Sequence, residues 1–196
     1  MANIEALRRN LESRGFQTSY FDTIEDANAY LNGQLDGQSI GIGGTMTVRE
    51  MGLYPLLAAH NRCFWHWEGA TVDEAAAAEI YICSLNGVAE TGEVVNIDGA
   101  GNRVASGLFG HKKVYFIIGV NKIAPDLDSA VWRARNIAGP KNARRLGKRT
   151  PCAVNADHCY DCRSPERICS ALVTYWKRPT YIPEAEIVII NRELGY

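Results

Sequence analysis

A chain of 196 residues with 46% hydrophobic and 22% charged side chains can bury one core without covalent staples, and this composition excludes a disordered polymer. A formal net charge of −1 excludes whole-surface nucleic-acid binding, and no apolar run reaches the roughly 20 residues that span a bilayer. The polar amphipathic stretch Met1 to Asn10 lacks the basic-then-apolar order of an export signal, so the expectation is a cytoplasmic protein whose six cysteines are thiols.

In chain order, Ile4, Leu7 and Leu11 recur at helical spacing until Gly15 stops the pattern, and Phe16 to Phe21 reads as a strand. Thr23 with Asp26 resembles a capping box and predicts a helix from Ile24 to Leu31 that ends at Asn32-Gly33. Ser39 to Ile42 is a strand that runs directly into Gly43-Gly44-Thr45. Strands follow near Cys63 to Trp67, at Ile80 to Cys83, near Glu93 to Ile97, at Lys113 to Val120 and at Glu186 to Asn191, with helices near Val72 to Ala78 and from Leu127 to Ile137. Strands interleaved with helices predict an α/β fold with mostly parallel pairing in a covered sheet, one domain over residues 1–196. The composition shifts only between Arg133 and Cys169, which become basic and then cysteine-rich.

Three segments carry groups suited to an anion. In Ile42-Gly43-Gly44-Thr45-Met46-Thr47 an apolar strand ends in glycines before a helix that Thr47 can cap, which brings backbone N–H groups close to a ligand; a purely conformational use of the glycines fits as well. The full dinucleotide fingerprint is missing. Between Glu90 and Arg103 a short strand delivers Asp98 into a glycine-flanked loop with Asn102 and Arg103, either a recognition loop or a hairpin with Asp-Gly turn chemistry. Gly119-Val120-Asn121-Lys122 ends the strand Lys113 to Val120, where open α/β sheets bind ligands, so Lys122 is placed to hold an anion or act as a base. All three segments fall on one predicted edge of the sheet.

From Arg133 to Arg149 seven cations occur with no acidic residue between them, and Lys141, Arg144, Arg145 and Lys148 share one face of a helix that Pro140 can start; the face is either solvated or docks an acidic partner. Cys63 and Cys83 lie in apolar runs as small buried hydrophobes. Cys152, Cys159, Cys162 and Cys169 are separated by six, two and six residues within the segment 150–170, which carries little regular structure. Four thiolates are the ligand set of a zinc site or an iron–sulfur cluster, and the single Cys-x-x-Cys, where zinc ribbons carry two, favours a [4Fe–4S] cluster over zinc. Ordinary thiols or a redox pair are the alternative.

The segments Ile42 to Thr47, Asn96 to Ala105, Gly119 to Ile123, Asn142 to Leu146, Thr150 to Cys152, Cys159 to Cys162, Ser164 to Cys169 and Glu193 to Tyr196 occur in order over nearly the whole chain. Together they resemble the LUD-domain, or lactate-utilisation, family in a single-domain form with a cysteine-rich tail. The resemblance implies a fold similar to the sugar-isomerase and coenzyme A-transferase superfamily and an association with L-lactate oxidation beside iron–sulfur partner proteins. It assigns no catalytic residue. The stretch from Trp67 to Tyr81 is shorter than the family pattern, and Trp65-His66-Trp67 is unusual at a strand end.

The leading expectation is an oxidoreductase component of organic-acid metabolism. It would bind a small carboxylate or anionic cofactor at Gly43, Gly44, Thr45, Thr47, Asn102, Arg103, Asn121 and Lys122, with the cysteine cluster in a redox role. The alternatives are an isomerase or acyl-CoA transferase-like enzyme with Glu90 or Asp98 as base or nucleophile and a structural zinc, or a non-catalytic scaffold or sensor.

Overall fold

The computed structural model describes residues 3–196; of the stretch Met1 to Asn10, Met1 and Ala2 lie outside the described residues. Helix α1 (Ile4–Ser13), capped by the Asn3 side chain, leads into β1 (Gln17–Phe21). Helix α2 (Ile24–Gln34) starts as expected at Thr23, whose hydroxyl accepts the Asp26 N–H, but it continues through Asn32-Gly33 because Leu31 is buried and holds that turn against the sheet. After β2 (Ser39–Ile42) come α3 (Met46–Met51) and α4 (Leu53–Ala58), joined at the left-handed Gly52. The cap of α3 is Thr45, not Thr47, which lies inside the helix and is fully buried.

Strand β3 (Arg62–Trp65) stops earlier than its apolar run, since residues 66–68 turn into a 3₁₀ helix. Helix α5 (Val72–Ala76) has a full capping box between Thr71 and Glu74 and is followed by β4 (Ile80–Cys83), β5 (Gly87–Ala89) and β6 (Val94–Asp98). The loop after Asp98 is not a hairpin: it enters α6 (Asn102–Leu108) through the left-handed Gly101. Then follow β7 (Lys113–Gly119), β8 (Ile123–Ala124) and α7 (Leu127–Arg133). The single helix expected to reach Ile137 instead passes through a π-helical turn over Ala134–Ala138 into α8 (Gly139–Arg145), with Pro140 in its first turn. The cysteine segment opens on a short helix, α9 (Pro151–Asn155), and the chain closes with β9 (Ala171–Tyr175) and β10 (Glu184–Ile190).

The central sheet has the order β1-β10-β7-β4-β2-β3 and is parallel throughout. Burial on both faces explains why its strands read as unbroken apolar runs. The period of two then sorts them: Tyr81, Cys83, Val114, Phe116 and Ile118 enter one core with Leu7 and Leu11 of α1, while Ile80, Ile82, Tyr115 and Ile117 enter the other with Leu31, Val48 and Leu57. The one carboxylate buried in this sheet, Glu186, is fully served: Ser19 and Tyr30 hydroxyls donate to it at 2.9 and 2.8 Å, and Lys113 lies 3.3 Å away.

Not every strand joins this sheet. β6 belongs to a second sheet of order β8-β5-β6-β9, antiparallel at β5–β6 and β6–β9, packed with α7 around Val95, Ala130 and Ala134. The pairing of Asp98 with Ala171 fastens the chain beyond the cysteines to the end of β6. Among the described residues no helix is long and apolar enough to cross a membrane.

Gly41, in β2 between Tyr81 and Phe64, lies where a Cβ would collide with the main-chain carbonyl of Ala75 in α5. Gly41→Ala should cost about 1–3 kcal/mol by forcing the helix off the sheet. A lowered urea midpoint at unchanged m-value is the expected readout, and an unchanged midpoint would show that α5 yields without cost.

Candidate functional site

The cleft forms where the chain reverses direction across the sheet: β2 is flanked by β3 on one side and β4 on the other, and the loops after β2 and β4 diverge at their C-terminal ends. Gly44, Thr45, Ser84, Asp98, Arg103 and Lys122 line a cavity of about 590 Å³ at this point. The structure thus brings together the loop after β2, the loop after β6 and the end of β7.

Each group reaches the cleft for a local reason. Gly43 is behind the wall: its carbonyl accepts the Trp65 indole N–H at 3.0 Å, and a Cβ there would stand 2.7 Å from the Tyr81 hydroxyl. Thr45 is 4% exposed, and its hydroxyl has no hydrogen-bond partner among the described residues. Both oxygens of Asp98 take backbone N–H groups, Oδ1 from Gly99 at 2.7 Å and Oδ2 from Val104 at 3.1 Å, so this carboxylate fixes the loop and the start of α6. Arg103 donates to the Ile97 carbonyl at 2.6 Å and to Asn86 Oδ1 at 3.3 Å, with Asp98 3.8 Å away. Asn102 lines the cavity. Asn121 turns away to receive the Leu194 N–H at 3.1 Å and so pins the C-terminal segment, whose Tyr196 enters the cleft wall. Glu90 is not in the cleft: it accepts the Asn3 N–H at 3.2 Å beside α1.

Lys122 is 3% exposed, and its Nζ donates to Thr47 Oγ1 at 2.9 Å and Ser84 Oγ at 2.7 Å. Burial, then the nearby guanidiniums of Arg133 and Arg103, pulls its pKa from 10.5 down to about 7. Arg133, the first of the seven cations in the basic run, is buried, donating to the carbonyls of Asn121 at 2.7 Å and Asn86 at 2.6 Å. Ser84 and Asn86 were missing from the sequence expectation although Ser84 directly follows β4 and Asn86 lies in the short loop after it, where an α/β sheet presents side chains to ligand. At the rim, Trp67 stacks with Arg145 at 5.2 Å and Arg49 at 5.8 Å, beside His66, whose pKa burial lowers.

The cysteines separate into two kinds. Cys83 is fully buried and Cys63 partly so, and burial pushes their thiols up to about 12 and about 11. Cys152, Cys159, Cys162 and Cys169 line one cavity of about 310 Å³ between α8 and the end of β6. Among the described residues no three His, Cys, Asp or Glu side chains are grouped tightly enough to hold a single metal ion, as a tetrathiolate zinc would require with sulfurs about 3.8 Å apart. Hydrogen-bond donors nevertheless stand against two of the sulfurs. The Asp161 N–H donates to Cys159 Sγ at 3.4 Å, Arg167 Nε to Cys169 Sγ at 3.1 Å, and Arg135 reaches Cys159 Sγ at 3.8 Å. Four cysteines lining one space have the donor chemistry of an iron–sulfur ligand set. The π-helical turn contributes Asn136, whose Oδ1 accepts the Cys159 N–H at 3.0 Å.

The depressed pKa of Lys122 has a sign that can be checked. Between about 7 and 10.5 the unfolded chain holds a proton on this amine that the folded protein has released, so stability rises with pH across that window. Lys122→Met should lose that part of the rise. Urea titrations of both proteins from pH 7 to pH 10 test this, and equal slopes would mean that Lys122 titrates normally in the fold.

The same architecture occurs in the crystal structure of a DUF162 family protein from Deinococcus radiodurans, with a TM-score of 0.57 over 95% of each chain at 9% sequence identity, a likeness of fold alone. No curated protein matches the chain. The model of the LUD domain matches residues 4–190, nearly the entire sequence, and on that match this chain belongs to the LUD-domain family.

Proposed function

We propose that the protein is a component of organic-acid oxidation of the lactate-utilisation type, holding a small carboxylate in the cationic cleft and a [4Fe–4S] cluster at Cys152, Cys159, Cys162 and Cys169. One observation carries this reading: the cysteine-lined cavity and the cleft share a wall made of Ile97, Gly139, Arg167, Ile168, Cys169 and Ser170. When bound, a cluster there supplies a one-electron acceptor within a side chain's length of the cleft. The chain's own groups do the rest. Arg103 offers positive charge to a carboxylate and Lys122 an amine, Ile97 and Ile168 contribute apolar surface to the shared wall, and Arg135, Arg167 and the Asp161 N–H donate hydrogen bonds to sulfur. Gly99 lets the two sites touch, since a Cβ at that position would stand 2.5 Å from the Ile168 carbonyl.

The exposed cations Lys141, Arg144 and Arg145 lie on α8, whose Gly139, Pro140 and Ala143 line the cysteine cavity. This arrangement suits docking of an acidic iron–sulfur partner next to the cluster.

Protein prepared and handled without oxygen should contain about four irons with matching sulfide, absorb in the visible, and give a paramagnetic signal on one-electron reduction. Cys162→Ser should lower the iron content and raise protease sensitivity between residues 150 and 170. One zinc per chain in place of iron would end the redox assignment and favour a structural role for the four cysteines.

A further inference from the structure

Among the described residues lining the cleft, Lys122 is the only lysine, and its surroundings are unusual for an ammonium group. Two neutral hydroxyls, Thr47 and Ser84, hold its Nζ, and they lie 3.2 Å from each other. The charged groups that bear on it come from four elements: Arg133 of α7 and Arg103 of α6 oppose protonation, while Glu50 of α3 and the Cys83 thiol of β4 act in the other direction with less weight. The outcome is an amine of which about half is neutral near pH 7, with a lone pair available for bonding. Thr45 lines the same cleft, and its hydroxyl is buried with no hydrogen-bond partner among the described residues.

We propose that Lys122 binds a 2-oxo acid covalently, as an imine at the carbonyl carbon, with the acid's carboxylate turned toward Arg103 and the Thr45 hydroxyl. The proposal rests on the organic-acid reading, because a 2-oxo acid is what a 2-hydroxy acid becomes when it gives up two electrons and two protons. Imine formation itself requires no oxidant. The amine lone pair forms the C–N bond and one amine proton passes to the carbonyl oxygen; loss of the second amine proton and departure of the hydroxyl then release one water and leave C=N. The Ser84 and Thr47 hydroxyls stand within hydrogen-bond reach of the nitrogen and relay these protons. Water reverses the bond and frees the acid, so the site exchanges its ligand without a second reactant.

Borohydride converts such an imine into a stable secondary amine by adding hydride to carbon and a proton to nitrogen. The anaerobically prepared full chain, treated with millimolar pyruvate and cyanoborohydride at neutral pH, should gain one reduced adduct by intact mass, and peptide mapping should locate it on Lys122. Lactate and acetate, which have no ketone, should give none. Lys122→Arg, whose guanidinium forms no imine, should abolish the adduct; if that variant does not fold, the map of the unaltered protein decides alone. An absent adduct, or one spread over exposed amines such as Lys112 and Lys177, overturns the proposal. Iron analysis separates the two readings: a cluster without an adduct removes the imine alone, and an adduct without a cluster removes the redox role alone.

Discussion

Arg133 is withdrawn from water and donates to two main-chain oxygens, those of Asn121 after β7 and Asn86 after β4. A buried guanidinium is tolerable when its donors are satisfied, and truncating it would strand both carbonyls. The same Asn86 receives Arg103 and the Ile97 N–H on its side-chain oxygen, and Asn121 receives the Leu194 N–H. Two asparagines therefore tie together the central sheet, the second sheet and the C-terminal segment through two cations. Everything that lines the cleft hangs on this arrangement.

The constraint has an electrostatic consequence. Burial first, and the nearby guanidiniums of Arg133 and Arg103 second, disfavour a charge on Lys122, and that is why its amine, held by two hydroxyls, loses its proton so readily. Asp98 does not relieve the pressure at Lys122, since its oxygens are spent on the backbone of the loop and of α6. Positive charge and a neutral amine thus coexist in one cavity, a combination that attracts an anion and leaves a nucleophile free to meet it.

The cysteine segment is fastened to the same loop and is not a separate appendage. The Ser170 N–H donates to the Asp98 carbonyl at 2.8 Å, and β9 then pairs along the whole of β6. Chain that would otherwise have few apolar anchors is thereby held in place on one side by strand pairing and on the other by Arg149 with Glu166 and Arg167 with Asp161. Those ion pairs are solvent-exposed and individually weak, so a bound cluster would contribute most of the remaining order in residues 156 to 169.

Local chemistry made much of this legible. The parallel strands at Ile40, Ile80, Val114 and Ile187 are apolar on both faces and declare themselves by composition, and Thr23, Thr71 and Pro140 mark helix starts by the hydrogen bonds they make or forgo. Glycine-bearing strand ends and the spacing of four cysteines pointed to the two cavities. What could not be read locally was set by partners distant in the chain. β8 has two residues and β5 three, too short to show a period, and β9 becomes a strand only because β6 offers an edge. Arg133 looks like any surface cation until Asn86 and Asn121 enclose it, and Ser84 is an ordinary serine until Lys122 is folded to within 2.7 Å. Sequence alone determined the layered sheet and the inventory of reactive groups; tertiary packing decided which of them are buried together, because desolvation and charge proximity arise only where segments remote in the chain share the same space.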